Sequence, residues 1–118
     1  MKYMLLFCRD QSRYEALTED QRKDLHTRYH DYGVKVIKSG QMSSGEALQP
    51  TAMATSVRVR AGKRQLTDGP FAETVEALLG FAVVECENLD EAIEWAAAHP
   101  DAEMGVVEVR PVLSWSVD

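Results

Sequence analysis

The chain is poor in the features that would tie it to a membrane, a nucleic acid or an oxidising compartment. The apolar run near its start, Tyr3 to Cys8, is far shorter than the roughly 20 residues a membrane span needs. It also lacks the basic start and small-residue cleavage site of a signal peptide. A cytoplasmic protein with no membrane partner is expected. Positive charge is in deficit, with 13 Lys and Arg against 19 Asp and Glu and a formal net charge of −6. Nucleic-acid affinity rests on clustered cations neutralising phosphates, so no nucleic-acid partner is expected. The one basic cluster, Arg58, Arg60, Lys63 and Arg64, alternates with Val57 and Val59 and reads as the wet face of a strand. There are only two cysteines, Cys8 and Cys86, each inside an apolar strand-like run, which predicts buried thiols.

Motifs of hydrolysis, nucleotide binding and zinc proteolysis are missing as well. No GxSxG elbow, GxxxxGK[ST] loop, GxGxxG turn or HExxH helix occurs. His26 and His30 lie at i and i+4 on one helix face, a spacing that can serve a metal, but no patterned third ligand accompanies them. Neither a metal nor a cofactor is therefore expected.

What remains is an ordinary globular composition, 45% hydrophobic and 27% charged over 118 residues, which predicts one domain spanning 1–118. Met4 to Cys8 is continuously apolar and suits a strand buried on both faces. Thr18-Glu-Asp-Gln21 has the capping-box spacing of a helix start, and Leu25, Tyr29, Tyr32 and Val36 follow as one helical stripe until Gly40. Within that helix Gly33 marks a weak point or a close approach to a neighbour. Gln41 to Leu48 is an extended edge segment, and Thr55 to Thr67 is a hairpin turning at Gly62-Lys63. Leu79 to Glu87 is a second doubly buried strand. Asn88 caps a helix carrying the stripe Leu89, Ala92, Ile93 and Ala96, with Trp95 facing away and Pro100 stopping it. His99, at that helix end, suits a cation favoured by the helix dipole. Gly105 to Arg110 is the last strand, followed by a tail that ends in Trp115 to Asp118.

This order predicts an α+β fold, a ferredoxin-like split βαβ with an inserted β-hairpin. Met4 to Cys8 and Leu79 to Glu87 are expected side by side and parallel, which would bring Cys8 and Cys86 to the same end of adjacent strands. Because both strands are apolar on both faces, a homodimer is expected to cover the sheet face that the helices leave open.

The segment Thr67-Asp68-Gly69-Pro70-Phe71-Ala72-Glu73-Thr74 has the chemistry of a tight turn: Asp68 accepts backbone N–H groups, Gly69 takes positive φ, Pro70 stiffens the chain and Phe71 anchors it. Such a loop is either purely structural or faces a ligand. The stretch TDGPFAETVEALLGF resembles the signature of the DGPF-type subgroup of the YCII-related family. GEALQP, SVRVRAGK, NLDEAIEWAA and GVVEVRPV resemble further blocks of it in the same order. The resemblance implies a ferredoxin-like domain of the dimeric α+β barrel type, a bacterial cytoplasmic protein with no assigned reaction, in a subgroup of which some genes lie in a regulatory context. Some relatives carry an Ala-Asp-Pro step after the second helix, where this chain has Ala98-His99-Pro100 and its carboxylate at Asp101.

Two functions fit these residues. One is a dimeric small-molecule-binding or accessory protein without turnover. The other is an enzyme acting on a small organic substrate, with His30 as proton carrier and Asp68 as its carboxylate partner. In either, Gly69, Pro70, Phe71, Glu73 and His26 are the candidate ligand-binding residues, and either His26 or His30 faces the pocket.

Overall fold

The structure, a computed structural model, describes residues 1–114; the tail from Trp115 to Asp118 lies outside the described residues. Strand β1 (Lys2–Asp10) leads through a short helix α1 (Gln11–Glu15) into the long helix α2 (Glu19–Lys38). Strand β2 (Met42–Ala47), a 3-10 turn (Thr51–Met53) and the hairpin β3 (Thr55–Arg60) and β4 (Lys63–Asp68) follow. Strand β5 (Glu76–Glu85), helices α3 (Leu89–Ala98) and α4 (Asp101–Met104) and strand β6 (Gly105–Pro111) complete the fold. The capping box at Thr18 forms as the sequence predicts, with Gln21 N–H donating to the Thr18 hydroxyl oxygen at 3.1 Å and Thr18 N–H donating to the Gln21 side chain at 2.8 Å. Asn88 caps α3 in the same way, accepting from Glu91 N–H at 2.9 Å. The hairpin turns at Ala61 and Gly62, both at positive φ, the pairing that a two-residue turn between twisted strands requires.

The main sheet has the order β2-β5-β1-β6, with every neighbouring pair antiparallel. β1 and β5 are adjacent, as expected, but antiparallel rather than parallel. The reason is topological: α2 carries the chain from β1 to β2, which run the same way with β5 inserted between them. Consequently Cys8 lies opposite Leu78, whereas Cys86 follows Glu85 at the far end of the pair, so the two thiols sit at opposite ends. Cys86 is buried and Cys8 half-buried, and both are free.

One sheet face meets the helices. Tyr3, Leu5 and Phe7 of β1 and Ala82 and Val84 of β5 form a core with Tyr32 and Val36 of α2 and Ala92 and Ala96 of α3. Leu89 and Ile93, expected in the α3 stripe, are exposed instead. Trp95, expected to face away, packs on the core, its ring edge-on to Tyr32 and its Nε1–H donating to Gln41 at 3.1 Å. Alanines let α3 sit close to the sheet, and that rotates the larger aliphatic side chains outward. The opposite sheet face carries Met4, Leu6, Phe81 and Val83, all half-buried, beside the more exposed Leu78 and Val106.

The β3–β4 hairpin forms a sheet of its own, and every residue of β4 is exposed. Its valines do not line a core as the alternation implied: Val57 and Val59 are exposed, whereas Arg58 is half-buried and reaches back to the Phe71 carbonyl. With no sheet beneath the hairpin, the pleat has no inside to point to.

Candidate functional site

A cavity of about 780 Å³ opens between α2 and the sheet, on the helix-covered face. Its walls follow from the local periodicities. On α2, His26, Tyr29, Gly33 and Val36 recur at helical spacing and face the same way. On β1, Phe7 and Arg9 are two residues apart and so share a face. β2 and β5 contribute Met42, Glu46, Gly80 and Phe81. Gly33 meets no neighbour here, since a Cβ placed on it would find nothing within 4 Å. Its missing side chain leaves room in the cavity instead.

His99 and Asp101 close one end. They flank Pro100, which is fully buried, and α3 stops at His99 with an extended backbone at φ −76° and ψ 136°. A residue before proline is forced out of the helical region, and that bend turns the imidazole inward. His99 is 8% exposed and Asp101 3%. The expectation of a solvated imidazolium at the helix end is therefore overturned: the ring stacks on Phe7 at 3.8 Å with its plane 11° away, and the edge of Tyr32 meets it at 4.8 Å. Burial pulls its pKa down to about 4, so it is neutral at pH 7. Its Nδ1 accepts the Asp101 backbone N–H at 3.0 Å, which puts the proton of the neutral ring on Nε2. Asp101 Oδ2 is 3.9 Å from Nδ1, beyond hydrogen-bond reach.

The Asp101 carboxyl is instead held by Tyr29, whose hydroxyl donates to Oδ1 and in turn accepts from Arg9 Nη1 at 3.3 Å. Burial raises the Asp101 pKa, while the Tyr29 hydrogen bond and the Arg9 charge pull it back. Burial, followed by the bond to Asp101, pushes the Tyr29 pKa up to about 12, so the phenol stays protonated. Arg9, Tyr29, Asp101 and His99 thus form a chain of a cation, a phenol, a carboxyl group of raised pKa and a neutral imidazole. A pair of titratable groups shifted by their surroundings at the closed end of a largely apolar cavity has the attributes of a proton-transfer or ligand-orienting site.

Of the residues singled out in the sequence, His26 lines this cavity, with Nε2 3.0 Å from the Tyr14 hydroxyl. His30 sits on the exposed side of α2 with Nδ1 3.6 Å from Asp31. Asp68 is the last residue of the exposed hairpin. The structure does not bring His30 and Asp68 together, and neither lines the cavity. Gly69 adopts φ +106°, the freedom its position required, and its N–H donates to the Ala54 carbonyl at 2.7 Å. Pro70 is half-buried and Glu73 exposed. Phe71, expected to anchor the loop, is 83% exposed, with no apolar side chain among the described residues covering it. Sequence reasoning missed Arg9, Tyr29 and His99 as site residues. The usable signal was the His99-Pro100-Asp101 step, in which proline fixes the backbone between two polar side chains.

Among the described residues, no cluster of three His, Cys, Asp or Glu has metal-ligand geometry, and no helix is long and apolar enough to cross a membrane. The family described as YCII-related domain matches residues 1–116. An uncharacterized protein of Rhizobium meliloti (strain 1021) is 33% identical over 114 residues, covering 95% of this chain and 92% of that protein. Among solved structures, 5-chloro-2-hydroxyhydroquinone dehydrochlorinase from Burkholderia phenoliruptrix AC1100, in complex with 2,5-dihydroxybenzoquinone, superposes with a TM-score of 0.52 at 14% identity. The match covers 98% of this chain and 94% of that one and shows a shared mixed α+β fold.

Proposed function

From the premise that this chain belongs to the YCII-related family, we propose that it binds a small organic molecule in the α2–sheet cavity, with His99, Asp101 and Tyr29 as the proton-transfer groups. The observation that carries this is the buried Tyr29–Asp101–His99 arrangement at the closed end. His99 Nε2–H is a donor that polarises a ligand oxygen without itself carrying charge, and the Asp101 carboxyl exchanges a proton nearby. The roles first considered for His30 and Asp68 pass to His99 and Asp101, and His26 remains at the rim. The shared fold with a dehydrochlorinase bound to a dihydroxybenzoquinone is in keeping with acid–base chemistry on a hydroxylated ring. A cytoplasmic protein of the DGPF-type subgroup, built on a ferredoxin-like sheet as one domain, fits the same reading.

Gly33→Phe tests the cavity directly. The site on α2 has room for a side chain and the backbone needs no special φ, so the variant should fold with an unchanged or higher melting temperature. In a thermal-shift screen of small phenols, aryl acids and quinones, ligands that stabilise the wild type should fail to stabilise the variant. Equal shifts in both proteins would place the ligand elsewhere.

The reading includes a homodimer that buries the open sheet face. Leaving Met4, Leu6, Phe81 and Val83 partly wet forgoes roughly 1.5 to 3 kcal/mol for each side chain that full burial would recover. In such a dimer the Gly69–Glu73 loop, whose Phe71 is left exposed by the described residues, meets the partner. Sedimentation at low micromolar concentration should give twice the 13.2 kDa chain mass. A monomer there would remove the dimer and leave the cavity untouched.

A further inference from the structure

We propose that the occupant of the cavity is a small planar organic anion, its charged oxygen held between Arg9 and His99 Nε2–H. This rests on the reading of the cavity as a small-molecule site and deepens it. Arg9 is the starting point. No carboxylate among the described residues lies within ion-pairing distance of its guanidinium. Nη1 donates to Tyr29 and Nη2 to Gln11 at 3.2 Å, but Nε is buried with no partner. Nε is closed off beside the Tyr14 ring, whose centroid is 4.0 Å from Cζ, so the donors that this cavity-lining cation keeps for a ligand oxygen are the spare N–H groups of Nη1 and Nη2.

His99 offers a second donor from the other side. Its Nδ1 is occupied by backbone, and no described residue accepts from Nε2–H. Both residues flank Tyr29, one through its hydroxyl and the other with ring centroids 5.4 Å apart. Two unfilled donors, one of them cationic, at the closed end of one cavity are complementary to an oxyanion. The remaining surroundings fix the rest of the ligand. Tyr29, Tyr32 and Phe7 offer ring faces and edges, and Val36 and Met42 add apolar wall, so a flat, apolar body fits behind the charged oxygen.

The carboxylates that line the cavity do not oppose this. Glu15 and Glu46 are not buried, and water screens exposed charges. Asp101 has one oxygen occupied by Tyr29 and feels the Arg9 charge without ion-pairing with it, so the guanidinium keeps spare N–H groups for a ligand.

Salicylate and its neutral amide, salicylamide, share a ring and differ in charge. By calorimetry at pH 7, the wild type should bind salicylate at least about tenfold more tightly than salicylamide, the difference expected of a charge-assisted contact. Arg9→Gln should bring the two affinities within about twofold, and Arg9→Lys should restore part of the preference. Gly33→Phe should bind neither. Equal affinities in the wild type, or a preference that survives Arg9→Gln, would overturn the anion assignment while leaving the small-molecule reading in place. Failure of both compounds to bind the wild type would remove the two together.

Discussion

Acidification from pH 7 to pH 4 is expected to cost the fold about 3 kcal/mol through His99 alone, and His99→Asn is expected to abolish that part of the loss. Folding takes the imidazole from the ordinary value of 6.5 down to about 4, so between those limits the unfolded chain binds a proton that the folded chain does not. Stability from this group is fully present above pH 6.5 and drains away as the pH falls toward 4. At about 1.36 kcal/mol for each unit of pKa difference, the loss comes to roughly 3 kcal/mol by pH 4. Asp101 works in the opposite sense, because its raised pKa gives stability that is present below 3.8 and lost as the pH rises through its folded value. Asparagine at position 99 keeps an acceptor for the Asp101 N–H and cannot titrate. The other carboxylates act alike in both proteins, so the difference between their urea-unfolding profiles from pH 8 to pH 4 isolates the imidazole. Parallel profiles would show that His99 is not held neutral.

The second large effect concerns the contact between β6 and β1 that positions Arg9. Gly105 pairs with Arg9, and a Cβ on it would lie 2.3 Å from the Cys8 carbonyl oxygen and 2.8 Å from the Arg9 Cα. Both are backbone atoms and cannot rotate away. Gly105→Ala should therefore cost about 3 kcal/mol, the upper end of ordinary overpacking, and should weaken salicylate binding by displacing Arg9. Gly33→Ala is the contrasting substitution: it has open space around it in a helix interior and should stabilise by roughly 0.5 to 1 kcal/mol. Melting temperatures that moved the same way in the two variants would contradict the geometry.

Local order was legible in the sequence because local rules set it. The Thr18 capping box, the Asn88 cap, the stripe of Leu25, Tyr32 and Val36 and the positive φ of Gly69 all follow from a few neighbouring residues. Strand direction was not legible, since the apolar run Met4 to Cys8 looks the same beside a parallel or an antiparallel β5, and only the path of α2 to β2 decides it. The hairpin valines misled for a related reason: alternation marks two faces, and tertiary packing chooses which one is inside.

The site was the least legible part. Tyr29 satisfied the helical stripe and so passed as a core residue, although its hydroxyl joins Arg9 to Asp101 across 20 and 72 positions of sequence. Nothing local announces such a connection. His99 was misplaced because a histidine at a helix end is normally wet, and here the following Pro100 turns it into the core. The DGPF-like loop drew attention through its unusual residues, but those residues specify a turn in the backbone and not what it faces.

A neutral, Nε2-protonated imidazole at the closed end of the cavity is the group on which the site depends. Long-range proton–nitrogen NMR of the histidine side chains between pH 8 and pH 5 reads this directly. The described geometry predicts one histidine, lost in His99→Asn, that shows a protonated Nε2 and an unprotonated Nδ1 throughout. An imidazolium signature for that residue at pH 6, or a proton found on Nδ1, would contradict it.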